Sequence, residues 1–301
     1  FLSMKHYLSN RVKDALNNNK PVLAMESTIL SSGMPYPQNL DFFHKTEKLC
    51  YENGVVPATI AIIKGTIHVG LDQKEAKHIT KSKNIKKVSK RELGLCLQKK
   101  HSGATTVSST SHIAHSLGIK VFSTGGIGGV HRDHNDTLDV SQDLYSLRNT
   151  PIIVVSSGVK SFLDVKKTVE ALETMGVPTI GYNTNHFPLF YFSKSNIKLQ
   201  YSTTNPTEVV EIYRNNLKCG LNSSLLVLNP VPKSKEIPKK TIEKIISKSI
   251  KKMKDENIVG KKTTPYLLNN IAKETKNKSL KTNISLALNN VLVGARIAKK
   301  I

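Results

Sequence analysis

Residues 151–182, PIIVVSSGVKSFLDVKKTVEALETMGVPTIGY, decide the fold of this chain. The apolar run 151–155 predicts a buried strand, and residues 156–158 predict a turn into a helix. The apolar stripe of that helix consists of Phe162, Val165, Val169 and Leu172. A second apolar run, residues 177–182, predicts the next strand. Because a strand, a helix and a strand in this order build parallel sheets, the stretch predicts an α/β fold.

The same alternation continues on both sides of this unit. Further strands are predicted at 21–25, 59–71 (two strands joined at Lys64 and Gly65), 104–107, 119–122 and 225–228. Helices are predicted at 5–19, at 39–53 with Asn39 as the cap, and at 112–117. The sequence therefore predicts a layered α/β/α fold with a central, largely parallel mixed sheet. We expect one domain over residues 1–301, with an α/β core over about 5–232 and a helical C-terminal part over about 233–301.

The charge of the chain is strongly positive, with 45 Lys and Arg against 22 Asp and Glu and a net charge of +23. Such a charge favours nucleic acid or phosphate partners. The predicted C-terminal helices carry much of it, mostly on their polar sides, and aromatic residues for base stacking make up only 6% of the chain. A basic nucleic-acid-binding protein is therefore the less favoured alternative.

Cysteine spacing and hydropathy indicate the cellular compartment in which the protein is expected. Cys50, Cys96 and Cys219 share no short spacing, which excludes a CxxC zinc site and a disulfide framework. Apolar runs stay well short of the roughly 18 residues that span a bilayer. The chain opens at Phe1 without a recognisable signal peptide. We expect a cytoplasmic protein without membrane insertion, with organelle targeting left open.

A glycine cluster, residues 123–132, follows the predicted strand 119–122. Its glycines can bring backbone N–H groups close to an anion, and they are Gly125, Gly126, Gly128 and Gly129. His131 stands where the dinucleotide fingerprint needs its third glycine, which excludes a nicotinamide cofactor. The cluster predicts a phosphate or substrate loop, with a tight turn as the alternative.

Two ionisable residues follow predicted strands. Glu26 ends the run 21–25, so it is either a buried carboxyl group with a raised pKa, suited to proton transfer, or a helix cap. Lys160 follows residues 156–158 at the predicted opening of a helix. The positive end of a helix dipole disfavours an ammonium ion there, which predicts a nucleophilic amine.

The segment 138–144 alternates acidic and hydroxyl side chains. If it is extended, Asp139, Ser141 and Asp143 lie on one side and suit a hard cation such as Mg²⁺ or Mn²⁺. The alternative is the acidic first turn of a helix, which the spacing alone favours.

Several strings together resemble the pseudouridine-5′-phosphate glycosidase family, in the same order and from about Leu8 onward. They include residues 24–29 (AMESTI), 33–37 (GMPYP), 56–61 (VPATIA), 103–107 (GATTV), 157–161 (SGVKS), 229–232 (NPVP), 264–268 (TPYLL) and 279–290. The glycine cluster and the segment 139–143 are similar to family motifs as well. Gln142 stands where the family usually has alanine.

The resemblance implies reversible cleavage of the C–C glycosidic bond of pseudouridine 5′-phosphate to uracil and ribose 5-phosphate. By motif match, Lys160 is the lysine that forms a Schiff base with the sugar, and Glu26 handles protons. Asp139 is then the ligand of a divalent cation, usually Mn²⁺. The remaining matches are substrate-binding positions: Lys87, Val107, Ser141, Gln142, Asp143 and Asn283. The resemblance also implies a homotrimer. An inactive, family-like scaffold is the other alternative, against which the presence of Glu26, Asp139 and Lys160 argues.

Overall fold

The computed structural model describes residues 6–301, so the first residue of the helix predicted at 5–19 lies outside the described part. Within residues 6–301 the chain forms eleven strands and twelve α-helices. The strands are β1 (His6–Leu8), β2 (Val22–Met25), β3 (Val56–Ile63), β4 (Thr66–Val69), β5 (Lys86–Val88), β6 (Gly103–Thr105), β7 (Val121–Ser123), β8 (Ile153–Ser156), β9 (Thr179–Tyr182), β10 (Ser202–Thr203) and β11 (Leu225–Leu228). The helices are α1 (Asn10–Asn17), α2 (Gln38–Glu52), α3 (Gln73–Lys81), α4 (Leu93–Gln98), α5 (Val107–Ser116), α6 (His134–Thr137), α7 (Gln142–Arg148), α8 (Val165–Thr174), α9 (Pro206–Lys218), α10 (Lys239–Asp255), α11 (Thr263–Glu274) and α12 (Lys278–Ala298).

The main sheet is parallel and has the strand order β3-β2-β7-β8-β11-β9-β10. Strand β3 belongs to two sheets. Its first half, from Val56 to Thr59, pairs with β2, and its second half pairs antiparallel with β4 and β6. The hairpin predicted at Lys64 and Gly65 is present, and both residues have positive φ angles of 47° and 76°, as a two-residue hairpin requires. The predicted mixed, largely parallel sheet is confirmed.

Helices cover both faces of the main sheet because successive side chains of a strand point to opposite faces. On β2, Leu23 and Met25 pack in a cluster with Val291 of α12, whereas Ala24 packs on the opposite side. Gly294 allows α12 to approach closely, since a Cβ atom there would lie 2.9 Å from Cδ1 of Leu23. Burying a side chain such as Val291 stabilises this layer by about 1.5–3 kcal/mol. The predicted α/β/α layering is confirmed.

Several predicted boundaries are wrong, for long-range reasons in some elements and for a local helix cap in another. Asn39 does not cap α2. It lies in the first turn, where its Nδ2 donates to the carbonyl oxygens of Leu30 (2.7 Å) and Thr80 (3.0 Å). The helix predicted at 112–117 begins at Val107 instead, because Thr106 takes the N-cap position. Strand β1 precedes α1, where the pattern predicted helix only.

Candidate active site

The ends of parallel strands place the predicted chemical groups at one edge of the sheet, around a cleft of about 420 Å³. Glu26 follows β2, the glycine cluster follows β7, and Lys160 follows β8. The cleft is lined by twelve of the predicted site residues: Glu26, Lys87, Val107, Gly125, Gly126, Gly128, Asp139, Ser141, Gln142, Asp143, Lys160 and Asn283. Gly129 is the exception and lies outside the lining of the cleft.

Glu26 is almost completely buried, with 9% of its surface exposed, and accepts a hydrogen bond at Oε1 from the hydroxyl of Thr124. Burial raises the pKa of Glu26, although the charge of Lys160 and the Thr124 hydrogen bond act to lower it. The pKa of Lys87 is lowered, first by burial and then by the charge of Lys160. A carboxyl group with a raised pKa beside two amines suits proton exchange near neutral pH.

Lys160 does not open a helix, which corrects the prediction. Helix α8 begins only at Val165, with Asp164 as its N-cap and a hydrogen bond from the Lys167 N–H to Oδ1 of Asp164 (3.0 Å). Residues 157–164 form an irregular loop because tertiary hydrogen bonds take up their backbone. The N–H of Lys160 donates to the carbonyl of Ile127 at 3.2 Å. Pairing with the glycine cluster, rather than a helix dipole, therefore positions Lys160.

The glycines of the cluster allow close packing of neighbouring segments more than they form an open anion-binding site. A Cβ atom on Gly126 would lie 2.6 Å from the ring of Phe190, and one on Gly128 would lie 2.2 Å from Oγ of Ser141. Gly129 packs against Thr168 of α8 and does not line the cleft. Among residues 6–301, the N–H groups of Gly125 and Gly126 have no protein acceptor, which leaves them free for a ligand.

Asp143 ties the glycine cluster to α5. Its Oδ1 accepts from the N–H of Ser108 (3.0 Å) and its Oδ2 accepts from the N–H of Gly128 (2.9 Å). Ser141 caps α7 by accepting from the N–H of Asp143 at 3.2 Å, so Asp143 lies in the acidic first turn of a helix, as the alternative interpretation predicted. Asp139 precedes that helix, and Val140 forms an antiparallel bridge with Val130, so Asp139, Ser141 and Asp143 do not share one extended segment. Gln142 accepts at Oε1 from the N–H of Arg91 (3.1 Å). Asp143 and Gln142 thus hold the wall of the cleft.

Asp139 lies before α7 at the mouth of the cleft, with 41% of its side chain exposed. Its nearest charged or ionisable neighbour is His131, whose Nε2 lies 3.7 Å from Oδ2. Within the described part of the chain, no three His, Cys, Asp or Glu side chains come together as a metal-binding group. A lone, solvent-facing carboxylate fits a hard cation that keeps most of its water ligands.

The sequence interpretation missed Asn290, which is completely buried in α12. Its Nδ2 donates to the carbonyl of Thr124 (2.8 Å), and its Oδ1 accepts from Nδ2 of Asn229 (2.9 Å). The loops after β7 and β11 are therefore joined through one side chain. An amide among the apolar residues of a helix was the available signal, because buried amides need partners.

The fold and the cleft define an α/β enzyme whose polar site lies at the carboxyl ends of parallel strands. The chain belongs to the family described as indigoidine synthase A like protein, whose family model matches residues 11–300. No helix within residues 6–301 combines the length and hydropathy that crossing a membrane requires.

Curated relatives and solved structures are similar over nearly the whole chain. A relative named pseudouridine-5′-phosphate glycosidase from Brachyspira hyodysenteriae is 48% identical over 291 residues, which cover 97% of this chain and 94% of that protein. A relative of the same name from Staphylococcus aureus is 43% identical over 290 residues, which cover 96% of this chain and 94% of that protein. An indigoidine synthase A (IdgA)-like protein from Thermotoga maritima has a TM-score of 0.88 and 37% identity, and covers 93% of each chain. The prealnumycin C-glycosynthase AlnA, solved in complex with ribulose 5-phosphate, has a TM-score of 0.90 and 32% identity, covering 99% of this chain and 97% of its own.

Proposed function

We propose that this protein cleaves the C–C glycosidic bond of pseudouridine 5′-phosphate reversibly, giving uracil and ribose 5-phosphate. The observation that carries the proposal is the grouping of Glu26, Lys87 and Lys160 in one cleft, in a chain up to 48% identical to relatives named for this activity. The cleft volume of about 420 Å³ suits a small-molecule substrate.

Lys160 acts as the nucleophile in this proposal. Its amine attacks C1′ of the sugar, and the C1′–O4′ bond breaks while Glu26 gives a proton to O4′. Glu26 then takes the proton that the attacking nitrogen releases. The nitrogen lone pair next expels uracil from C1′, and Glu26 returns the proton to uracil C5. The iminium that remains between Lys160 and C1′ is hydrolysed by water to ribose 5-phosphate. A raised pKa suits Glu26 to these three proton transfers.

The phosphate of the substrate needs hydrogen-bond donors that are not already bonded to an acceptor of the protein. Gly125, Gly126 and Lys87 line the cleft, and the two glycine N–H groups without a protein acceptor and the Lys87 amine are the donors proposed for the phosphate. Val107, Ser141 and Asn283 line the same cleft and are proposed substrate contacts. Asp143 contributes by holding the Gly128 N–H and the start of α5 in place.

A divalent cation, Mn²⁺ or Mg²⁺, is proposed to bind at Asp139. The exposed carboxylate at the mouth of the cleft fits an ion that is otherwise held by water and substrate oxygens. Such an ion supplies charge stabilisation for oxygen atoms of the substrate. The homotrimer that the family resemblance implies stays a prediction.

Borohydride trapping tests the covalent step. We expect borohydride, added during incubation with ribose 5-phosphate, to leave a stable adduct that peptide mass mapping places on Lys160. Lys160→Ala should lose both the adduct and uracil release from pseudouridine 5′-phosphate. Lys218→Ala is the matched control, since this exposed lysine lies at the end of α9, outside the cleft. An adduct on Lys87, or full activity of Lys160→Ala, would refute the assignment.

A further inference from the structure

A second, smaller cavity lies directly behind Glu26 and shares a wall with the cleft. Its volume is about 20 Å³, and Glu26, Ile29 and Gly125 line both spaces. A single water molecule needs about 10–15 Å³, so this chamber has room for one. Glu26 therefore lies between the cleft and a chamber that has room for one water molecule.

Two buried hydroxyl groups line this chamber without a partner. Thr46 of α2 and Ser123 at the end of β7 are each 3% exposed, and neither side-chain oxygen has a hydrogen-bond partner among residues 6–301. Buried hydroxyl groups in folded proteins are nearly always hydrogen-bonded, to the protein or to an ordered water. Both oxygens belong to side chains that line the chamber, whose volume admits one water molecule.

We propose that the chamber holds an ordered water molecule, which is bonded to Thr46 and Ser123 and hydrates the carboxyl group of Glu26 from the side opposite the substrate. The occupant is water rather than a cation, because Glu26 is the only charged side chain lining the chamber among the described residues and a space of about 20 Å³ has no room for the further water ligands that a hard cation needs. Thr46 and Ser123 are then positioning residues that act on Glu26 through this water. The role in catalysis rests on the function proposed above.

The water tunes the proton affinity of Glu26. The charged and titratable groups that act on Glu26 are Lys160, Asp143 and Lys87, all from the cleft side. The Thr124 hydroxyl occupies Oε1. A water behind the carboxyl group stabilises its charged form by hydrogen bonding, and losing that water raises the pKa of Glu26 further. Because Glu26 begins the proposed reaction protonated, the basic limb of the pH–rate profile then moves to higher pH.

Two near-isosteric variants, Thr46→Val and Ser123→Ala, remove one hydroxyl each. Their matched controls are Thr150→Val and Ser249→Ala, whose hydroxyl groups are equally buried and also lack a protein partner but line neither cavity. We expect both chamber variants to lower the midpoint of thermal unfolding of the full chain, because they take a partner from a bound water. If the chamber hydroxyls were simply unpaired, their removal would leave the midpoint unchanged or raise it.

Two further measurements complete the test. A crystal structure of the full chain, at a resolution that shows ordered water, should contain a water within hydrogen-bond distance of Thr46 Oγ1 and Ser123 Oγ. The pH–rate limb of both chamber variants should move upward by about half a pH unit or more, with no movement in the controls.

The failures of the two proposals are distinguishable. If the parent protein released no uracil from pseudouridine 5′-phosphate, the proposed function would be refuted. The thermal unfolding of the chamber variants and the crystal structure would still show whether the chamber holds a water molecule. A chamber without ordered water, or chamber variants that unfold like their controls, would overturn the water site. A water that is present while the pH–rate limb stays in place would overturn its action on Glu26.

Discussion

Replacing Asp143 should destabilise the protein strongly, because both of its carboxylate oxygens accept hydrogen bonds from buried backbone N–H groups. Asp143 is 6% exposed, and its partners are the N–H groups of Ser108 (3.0 Å) and Gly128 (2.9 Å). Asp143→Ala leaves both donors without an acceptor. Each buried, unpaired donor costs about 1–3 kcal/mol, so we expect the free energy of unfolding to fall by about 2–6 kcal/mol. Asp143→Asn keeps one acceptor oxygen, so its free energy of unfolding should fall by about half as much as that of Asp143→Ala.

Urea unfolding at neutral pH measures this loss as a lower midpoint at an unchanged slope. Asp139→Ala is the control, since its carboxylate lies four residues earlier, is 41% exposed and accepts no backbone hydrogen bond among the described residues. Its free energy of unfolding should stay within about 0.5 kcal/mol of the parent value. If Asp143→Ala also stayed within that margin, the carboxylate would not tie α5 to the glycine cluster, and the reasoning would be refuted.

Three other outcomes are expected. Glu26→Gln should reduce uracil release by about 10²–10⁴-fold, the usual contribution of a general acid or base, and a loss below about threefold would make Glu26 purely structural. Asp139→Ala should abolish Mn²⁺ binding in a calorimetric titration and remove the sensitivity of turnover to chelators, whereas chelator-sensitive turnover at the parent rate would contradict a metal role. Partial burial acts to raise the pKa of Glu92, but hydrogen bonds from Ser89, Arg91 and Lys261 outweigh it and lower that pKa to about 2. Glu92→Gln should therefore unfold more easily than the parent above about pH 4.5, and the difference should disappear as the pH falls towards 2; a difference that is independent of pH would contradict this assignment.

Local signals in the sequence were sufficient for most of the central sheet and for the position of its polar edge, but not for the short strands β1, β5 and β10. The runs 21–25 and 151–155 are apolar throughout, as strands covered on both faces must be, and each is followed by a residue of the cleft. Because parallel strands share one direction, Glu26 and Lys160 had to lie at the same edge once both strands were placed in one sheet, and only β7 separates those strands. The prediction of an α/β/α fold follows from the same pattern.

Contacts between distant segments determined what the sequence pattern could not predict. The apolar stripe that includes Phe162 predicted a helix opening near Lys160, but the backbone there bonds to Ile127 and to the loop around Phe190 instead. A helix propensity of a few tenths of a kcal/mol per residue is smaller than such tertiary hydrogen bonds. Crowding at Gly126 and Gly128 likewise depends on side chains that are far away in the chain.

Asn290 is visible in the sequence pattern of α12, but its role follows only from contacts between distant segments. Its amide lies in the apolar layer of α12, beside Val291, and is completely buried. Its contacts reach Thr124 after β7, Ser157 after β8 and Asn229 after β11. The loops that carry the Glu26 partner Thr124 and the lysine Lys160 are thereby fixed to one rigid helix. A displacement of about 1 Å costs a catalytic site about a hundredfold in rate, so we expect Asn290 to affect the reaction through the positions of the three strand ends that its amide joins.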